Sequence, residues 1–133
     1  MTLLVNIDVD DLDRAVAFYS KALDLKVARR FGGGAAEMVG SSAPIYLLQK
    51  KPGTAAFKDG PARDYGRHWT PVHLDFVVPD IATALEKARA AGARVESDVR
   101  VEKWGKIVLL ADPFGNGFCL IEFLGRGYDE ILG

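Results

Sequence analysis

Two segments of the chain carry the apolar spacing of amphipathic helices. In the first, hydrophobic residues recur three, four and seven positions apart, at Leu12, Ala15, Val16, Tyr19, Ala22 and Leu23. In the second they recur in the same way, at Ile81, Ala84, Leu85, Ala88 and Ala91. This period places the apolar side chains on one face of a helix. Asp11 is a good N-cap for the first helix, and Gly92 is placed to end the second in a left-handed cap.

The two helical segments form an internal repeat. Leu12 and Ile81 lie 69 positions apart, as do Ala15 and Ala84. The strands before the helices follow the same offset, because Val5, Ile7 and Val9 alternate with polar residues as Leu74, Phe76 and Val78 alternate with their neighbours. Such alternation leaves one strand face apolar, to pack on the helix that follows, and the other face free.

Further strand signals follow each helix. After the first helix they cover 25–31, 36–39 and 45–49, with a glycine turn at 32–34. After the second helix they cover 93–98, 101–103, 106–110 and 118–124, with a turn at 112–117. Each half is therefore predicted to be a βαβββ module, and the fold class to be α+β, with a curved mixed sheet and the helices on its outer face. We predict one domain, 1–133, built of module 1–50, linker 51–70, module 71–125 and a C-terminal tail, 126–133.

Composition excludes some classes of function. The chain carries 17 Lys and Arg residues against 18 Asp and Glu residues, so it has no basic field to hold nucleic acid or an anionic membrane. Its one cysteine, Cys119, excludes an internal disulfide framework and fits a reducing compartment. The N-terminal residues lack the pattern of a signal peptide, and no apolar run approaches membrane-spanning length. We therefore expect a cytoplasmic protein.

The helix start and the last turn point to a known family. The segment Val9–Tyr19 begins with two aspartates and ends in Phe-Tyr, and Asp112–Asn116 reads Asp-Pro-Phe-Gly-Asn. Together with the βαβββ repeat, these motifs resemble the vicinal oxygen chelate superfamily, which contains glyoxalases, bleomycin-resistance proteins and extradiol dioxygenases. The resemblance covers nearly the whole chain. It implies a trough formed by the free faces of two sheets, and commonly a homodimer.

The resemblance also locates the metal-ligand positions of metal-dependent members, two in each module. In the first module they fall on Leu4, which cannot bind a metal, and on Tyr46, which is neutral at working pH. In the second they fall on His73, a match, and on Cys119, where a glutamate is usual. Catalytic divalent ions need about three protein ligands. We therefore expect no metal cofactor, and a divalent ion remains possible only on the unusual set His73, Asp75 and Cys119.

Several residues are candidates for ligand binding, each beside a purely structural alternative. His73 is the candidate catalytic residue, either as a hydrogen-bonding group or as a general acid or base. The structural alternative is a core histidine whose hydrogen bonds are satisfied within the protein. Cys119 is either a site residue or a small buried hydrophobe. Trp69 and Trp104 either contact a ligand in a pocket or only pack against neighbouring residues. Nothing in the sequence indicates that the carboxylates of Glu37, Glu102 and Glu122 form a catalytic pair. The ligand-binding set is Tyr46, His68, Trp69, His73, Asp75, Trp104 and Cys119.

Three functional hypotheses follow. The first is a small-molecule binding protein of the glyoxalase and bleomycin-resistance type that lacks the standard metal centre. The second is a metal-dependent glyoxalase-like lyase, isomerase or dioxygenase that uses His73 with a non-standard ligand set. The third is a regulatory domain whose trough binds another polypeptide. All three share the expectation of a homodimer without nucleic-acid or membrane partners.

Overall fold

The computed structural model describes residues 1–133 and divides them into two units, Met1–Gly66 and Arg67–Gly133. In the first unit, strand β1 is followed by helix α1 and three strands. Their bounds are β1 Val5–Val9, α1 Leu12–Leu23, β2 Lys26–Phe31, β3 Ala35–Val39 and β4 Ile45–Gln49. The sheet order is β1-β4-β3-β2, with β1 parallel to β4 and the other pairs antiparallel.

The second unit repeats this order with one additional strand. Its elements are β5 Leu74–Val77, α2 Ile81–Ala91, β6 Arg94–Val95, β7 Arg100–Glu102, β8 Gly105–Ala111, β9 Gly117–Phe123 and a 3₁₀ helix, Gly127–Ile131. The strand order is β5-β9-β8-β6, and β7 also pairs with β8. Strand β5 is parallel to β9, as β1 is parallel to β4 in the first unit. The predicted α+β class is confirmed.

The strand signals predicted at 93–98 and 101–103 correspond to two short strands, β6 and β7, so four strands follow α2 where the βαβββ prediction has three. The Leu109 N–H donates to the Ser97 hydroxyl oxygen at 3.0 Å, so a side chain takes the place of a backbone partner there. The Glu96 N–H still donates to the Leu109 carbonyl at 2.8 Å. The interruption therefore separates β6 from β7, although both lie against β8.

The helix N-termini are held in the same way in both units. The predicted N-cap is confirmed, since Asp11 Oδ1 accepts from the Arg14 N–H at 3.0 Å, and Asp80 caps α2 likewise. A side chain from the end of a strand takes the first helical N–H. Gln49 Oε1 accepts from Leu12 at 2.8 Å in the first unit, and Glu122 Oε1 accepts from Ile81 at 2.9 Å in the second. Each helix start is thereby tied to the sheet beneath it.

Each sheet buries the face that carries its helix. In the first unit alternate residues of β3 and β4 are fully buried together with the apolar stripe of α1; they are Ala36, Met38, Ile45, Leu47, Leu12, Ala15, Phe18 and Tyr19. In the second unit Val108, Leu110, Phe118 and Leu120 are buried, and so is Ile81 of α2. No helix has both the length and the apolar character needed to span a bilayer. In the first sheet the face opposite the helix carries the polar residues Asn6, Arg29, Glu37 and Tyr46.

Replacing Gly105 by alanine should destabilise the second unit. A Cβ at this position would lie 2.3 Å from the Glu122 carbonyl oxygen, which is backbone and cannot move aside without breaking the β8–β9 pairing. We expect Gly105→Ala to lower the free energy of unfolding by about 1–3 kcal/mol. Urea denaturation measures this change. Gly33→Ala is the control, because a Cβ there meets nothing within 4 Å, and its effect should stay below about 1 kcal/mol.

Candidate functional site

The free face of the first sheet, on the side away from α1, carries a row of polar residues that crosses all four strands. Strand register pairs Asn6 with Tyr46, Tyr46 with Glu37, and Glu37 with Arg29. Neighbouring residues across a sheet share a face and lie about 5 Å apart. Three consecutive strands, β2, β3 and β4, thus bring a guanidinium, a carboxylate and a phenol together.

These three side chains form what we call the Arg29 cluster, Arg29, Glu37 and Tyr46. Arg29 Nε donates to Glu37 Oε1 at 2.8 Å, and Nη2 donates to Oε2 at 3.0 Å. The Tyr46 hydroxyl donates to the same Oε2 through a short hydrogen bond. Glu37 is only 8% exposed, whereas the Arg29 side chain is 62% exposed. The cluster therefore holds a buried carboxylate beneath an accessible guanidinium.

The hydrogen bonds fix the charge states of the cluster. Those from Arg29, followed by that from Tyr46, lower the pKa of Glu37 to about 2. The hydrogen bond to Glu37 raises the pKa of Tyr46 above its ordinary value, and the same carboxylate raises that of Arg29. At neutral pH the cluster is thus an Arg⁺–Glu⁻ pair with a neutral phenol. Tyr46, one of the predicted ligand-binding residues, is engaged as a hydrogen-bond donor.

A second ion pair lies on the same sheet face. Arg63 Nε donates to Asp8 Oδ2 at 2.7 Å, and Arg63 Nη1 donates to the Thr54 hydroxyl at 3.1 Å. The Asp8 carboxylate, which the sequence placed on the free strand face, therefore has a cationic partner from the segment after β4. Its charge is balanced within the first unit.

In the second unit, His73, Asp75 and Cys119 meet on the free side of the sheet. Strand register places Asp75 beside Cys119, and His73 Nε2 lies 3.4 Å from Asp75 Oδ1. One donor atom from each residue, nitrogen, oxygen or sulfur, lies within 4.8 Å of the other two. His73 and Asp75 are partly exposed, while Cys119 is 6% exposed. We call this group the His73 cluster.

The Cys119 thiol is protonated at neutral pH. Burial raises its pKa to about 11, and the charge and hydrogen bonding of Asp75 act in the same direction. A thiol binds metal and reacts with electrophiles as the thiolate, so both properties are suppressed at this position. The local environment therefore favours the structural alternative for Cys119, although its side chain lies on the free face.

The His73 cluster does not match an oxygen-rich divalent centre. It offers one nitrogen, one carboxylate and one protonated thiol, and hard divalent ions prefer six oxygen-rich ligands. The set is closer to a tetrahedral zinc site, in which donor atoms lie about 3.5 Å apart. With donor atoms separated by as much as 4.8 Å, zinc would require the side chains to close in and Cys119 to lose its proton.

A small pocket of about 40 Å³ lies beside His73. It is lined by Arg67, Trp69, Thr70, His73, Leu109 and Gly117. Its volume accommodates a ring edge or a methyl group, while the adjoining Trp69 indole is 75% exposed and lies 6.4 Å from the His73 ring centre. Two of the predicted ligand-binding residues, Trp69 and His73, thus share one pocket.

Arg67 holds one wall of this pocket. Its Nε and Nη2 donate to the two oxygens of Glu96 at 2.7 and 2.9 Å, and it also donates to the His68 carbonyl. This pairing raises the pKa of Arg67 and lowers that of Glu96. The guanidinium lies over Gly117, where a Cβ would stand 2.6 Å from Nη2. Glycine at that position therefore leaves room for the arginine.

The two remaining candidates are engaged in packing and turn contacts. His68 Nε2 lies 3.1 Å from Asn116 Oδ1, and its backbone N–H donates to the Gly115 carbonyl, which ties it to the Asp-Pro-Phe-Gly-Asn turn. Trp104 packs against Phe123 and Tyr128, with ring centres 6.3 and 5.0 Å away. Phe123 is four residues beyond Cys119 on β9, about 13 Å along the strand, so Trp104 is not gathered with the His73 cluster.

Sequence reasoning missed Arg29, Glu37 and Arg67. The first two had a usable signal, because a hairpin that turns at Gly32–Gly34 pairs Phe31 with Ala35 and hence Arg29 with Glu37. No sequence signal could have identified Arg67, because its partner Glu96 lies 29 residues away in an irregular segment.

The fold and the site elements define a glyoxalase-like protein. The chain belongs to the glyoxalase-like domain family, whose model matches residues 4–121. No curated protein matches the chain. The vicinal oxygen chelate resemblance is thereby confirmed at the level of family and fold.

Solved structures of similar fold share little sequence with the chain. The genomically encoded fosfomycin resistance protein FosX from Listeria monocytogenes has a TM-score of 0.74 at 15% identity, over 99% of this chain and 98% of that one. A lactoylglutathione lyase from Agrobacterium tumefaciens has a TM-score of 0.65 at 20% sequence identity, and the match covers 92% of each chain. A glyoxalase/bleomycin resistance protein/dioxygenase family enzyme from Burkholderia phytofirmans PsJN has a TM-score of 0.69 at 17% sequence identity. This match covers 91% of this chain and 97% of that one.

Acid should destabilise the protein partly through Glu37. Its pKa is about 2 in the folded chain against an ordinary value of 4.5, so its stabilising contribution is complete above about pH 4.5 and is lost as the pH falls towards 2. In Glu37→Gln, stability at pH 7 should fall, and the further loss between pH 4.5 and 2 should be smaller than in the wild type. Urea denaturation across this range measures both effects. Glu86→Gln, in an exposed pair with Arg89, should keep the wild-type profile, and an identical acid loss in both variants would contradict the assignment.

The Cys119 thiol should react slowly in the folded protein. A rise of the pKa from 9.0 to about 11 reduces the thiolate fraction at pH 8 by about a hundredfold, and burial limits access further. Reaction with an aromatic disulfide reagent at pH 8 should therefore be at least a hundredfold slower in buffer than in 8 M urea at the same pH. Comparable rates under both conditions would show that the thiol is accessible and ionised.

Proposed function

We propose that this protein binds small molecules in the manner of the glyoxalase and bleomycin-resistance type and works without the standard metal centre. The observation that carries the proposal is the burial of the Cys119 thiol, which occupies the position where the resemblance expects a carboxylate ligand. Burial raises its pKa to about 11, and a neutral thiol is a poor ligand for a hard cation.

The state of Tyr46 supports the same proposal. The resemblance places a metal ligand at this position too, and the Tyr46 hydroxyl donates its proton to Glu37. Because Glu37 already receives two hydrogen bonds from Arg29, its carboxylate is satisfied within the first sheet and has no need of a cation. Leu4, at a third such position, has no donor atom.

The pocket beside His73 supplies a binding surface. Its lining includes the exposed Trp69 indole, Leu109 and His73, whose imidazole offers a hydrogen bond to a ligand. Flat apolar ligands stack on such an indole, while the small volume admits only one edge of the ligand. We propose that Trp69 binds a planar ligand and that His73 and Asp75 orient its polar atoms, with His68 and Cys119 of the same unit as further predicted contacts.

A second candidate function is a metal-dependent glyoxalase-like enzyme. The approach of His73, Asp75 and Cys119 to within 4.8 Å favours it, because three donors of this kind are the number found in catalytic zinc sites. A zinc ion there would supply Lewis acidity, and the chain's own groups would hold it. The homodimer and the cytoplasmic location expected from the sequence belong to the proposal in either case.

Ligand binding that survives removal of metal is the main test. Protein dialysed against a chelator should bind planar probes such as indole or quinoline, observed by fluorescence titration and thermal shift. Trp69→Ala should weaken binding at least tenfold, because the stacking surface is lost. Phe57→Ala, which removes an exposed aromatic residue of the first unit, is the matched control and should change affinity less than twofold. Equal effects of both substitutions would refute the pocket assignment.

Metal content separates the two candidate functions. Protein purified without chelators should contain well below one equivalent of zinc, nickel, manganese or iron by elemental analysis, because the His73 cluster is a poor match to a standard centre. His73→Ala should leave that content unchanged. About one equivalent of metal that His73→Ala abolishes would overturn the metal-free proposal and favour the enzyme.

A further inference from the structure

One edge of the Arg29 guanidinium is only weakly engaged. Its Nε and Nη2 atoms form the other edge of the planar group, and both donate to Glu37. The weakly engaged edge is formed by Nη1, which makes no hydrogen bond within the chain, and by Nη2, which besides Glu37 has a long contact of 3.5 Å with the Tyr46 hydroxyl. A guanidinium edge of this kind receives two oxygens of a carboxylate or phosphate at once.

The guanidinium is both exposed and held in place. The Arg29 side chain is 62% exposed, yet two hydrogen bonds to a nearly buried carboxylate determine its orientation. An ordinary exposed arginine loses much conformational entropy when it binds a ligand, whereas here folding has already restricted the side chain. Glu37 thus prepares Arg29 for an incoming oxyanion.

An aromatic surface lies next to the charge. Phe31 is 46% exposed, and its ring centre lies 5.3 Å from the Arg29 guanidinium carbon and 6.2 Å from the Tyr46 ring centre. The two ring planes are inclined by 30°, so two similarly oriented rings lie beside the cation. The apolar body of a ligand can cover this surface while its charged end reaches the guanidinium.

We infer that Arg29, Phe31 and Tyr46 form a binding site for organic oxyanions, in which the Nη1–Nη2 edge of Arg29 receives a carboxylate or phosphate-type group and the two aromatic rings receive an attached planar body. This inference rests on the proposed function, whose ligand class it names, but it depends on residues of the first unit alone. Glu37 is a positioning residue in it, since it orients the guanidinium and does not touch the ligand.

Adjacent arginines of β2 provide a matched comparison. Arg30 follows Arg29 on the strand, is 45% exposed, and lies on the opposite face, where its Nη1 is 3.4 Å from Asp13 Oδ1 of α1. Arg29→Gln and Arg30→Gln therefore change the net charge equally at neighbouring positions. Arg29→Lys keeps the positive charge but cannot bind two oxygens with one planar edge. Because it leaves a cation beside Glu37, it also serves as the test variant if Arg29→Gln does not fold.

The test measures the binding of benzoate, phenylphosphonate and neutral benzamide to the chelator-treated protein by two-dimensional NMR titration. We expect the wild type to bind at least one of the two anions at least tenfold more tightly than benzamide, with shifts centred on β2 to β4. Arg29→Gln should lower the affinity for that anion at least tenfold, and Arg29→Lys should lower it to an intermediate degree. Arg30→Gln should change this affinity less than twofold. The two anions differ in geometry and charge, so their ratio shows which oxyanion class the site prefers.

Other results would overturn the inference. Equal losses in Arg29→Gln and Arg30→Gln would indicate non-specific attraction, and an Arg29→Lys variant that binds as the wild type does would exclude the two-oxygen geometry. If indole or quinoline binds with dependence on Trp69 while anions show no preference over benzamide, the inference fails and the proposed function stands. If no probe of either kind binds the wild type, both fail.

Discussion

One-sided burial of each sheet is the constraint on which the rest of the structure depends. A single helix covers one face of each sheet, so alternate strand residues enter the core and their neighbours are left on the other face. Gln49 and Glu122 strengthen this arrangement, because each reaches from the end of its strand to the first N–H of the helix above. The helix cannot shift along the sheet without losing that hydrogen bond. The Arg29 cluster and the His73 cluster accordingly lie on the free faces of their sheets.

The regular elements could be predicted because their signals are local. The period of three to four residues gave the bounds of both helices, and Asp11 and Gly92 marked a start and an end that the structure contains. Strand existence followed from alternation, and the separate signals at 93–98 and 101–103 correspond to β6 and β7. The contact made between these two strands, at Ser97, was not predictable, because the Leu109 N–H donates to the Ser97 hydroxyl 12 positions away and such a contact leaves no trace in local hydrophobicity.

The composition of the candidate site was predictable only in part. His73, Asp75 and Cys119 share a face by alternation and family resemblance, and the structure brings their donor atoms together. The pairing of Arg29 with Glu37 required strand register, which the glycine turn specifies but which single-strand patterns do not reveal. Arg67 depended on a contact with Glu96 across an irregular segment and on the absence of a side chain at Gly117. Such contacts are set by tertiary packing and cannot be inferred from the spacing of residue types.

The protonation of Tyr46 and Cys119 alters what this fold offers to a ligand. At positions where the resemblance expects electron-pair donors, the chain presents an O–H whose pKa is raised by Glu37 and an S–H whose pKa is raised by burial. Glu37 itself is neutralised by Arg29. Groups that would attract a cation are therefore either protonated or paired, whereas Nη1 of Arg29 makes no hydrogen bond within the chain. If the proposed function holds, the first sheet favours an anion over a cation as its ligand, because the cation of Arg29 is the accessible charge there.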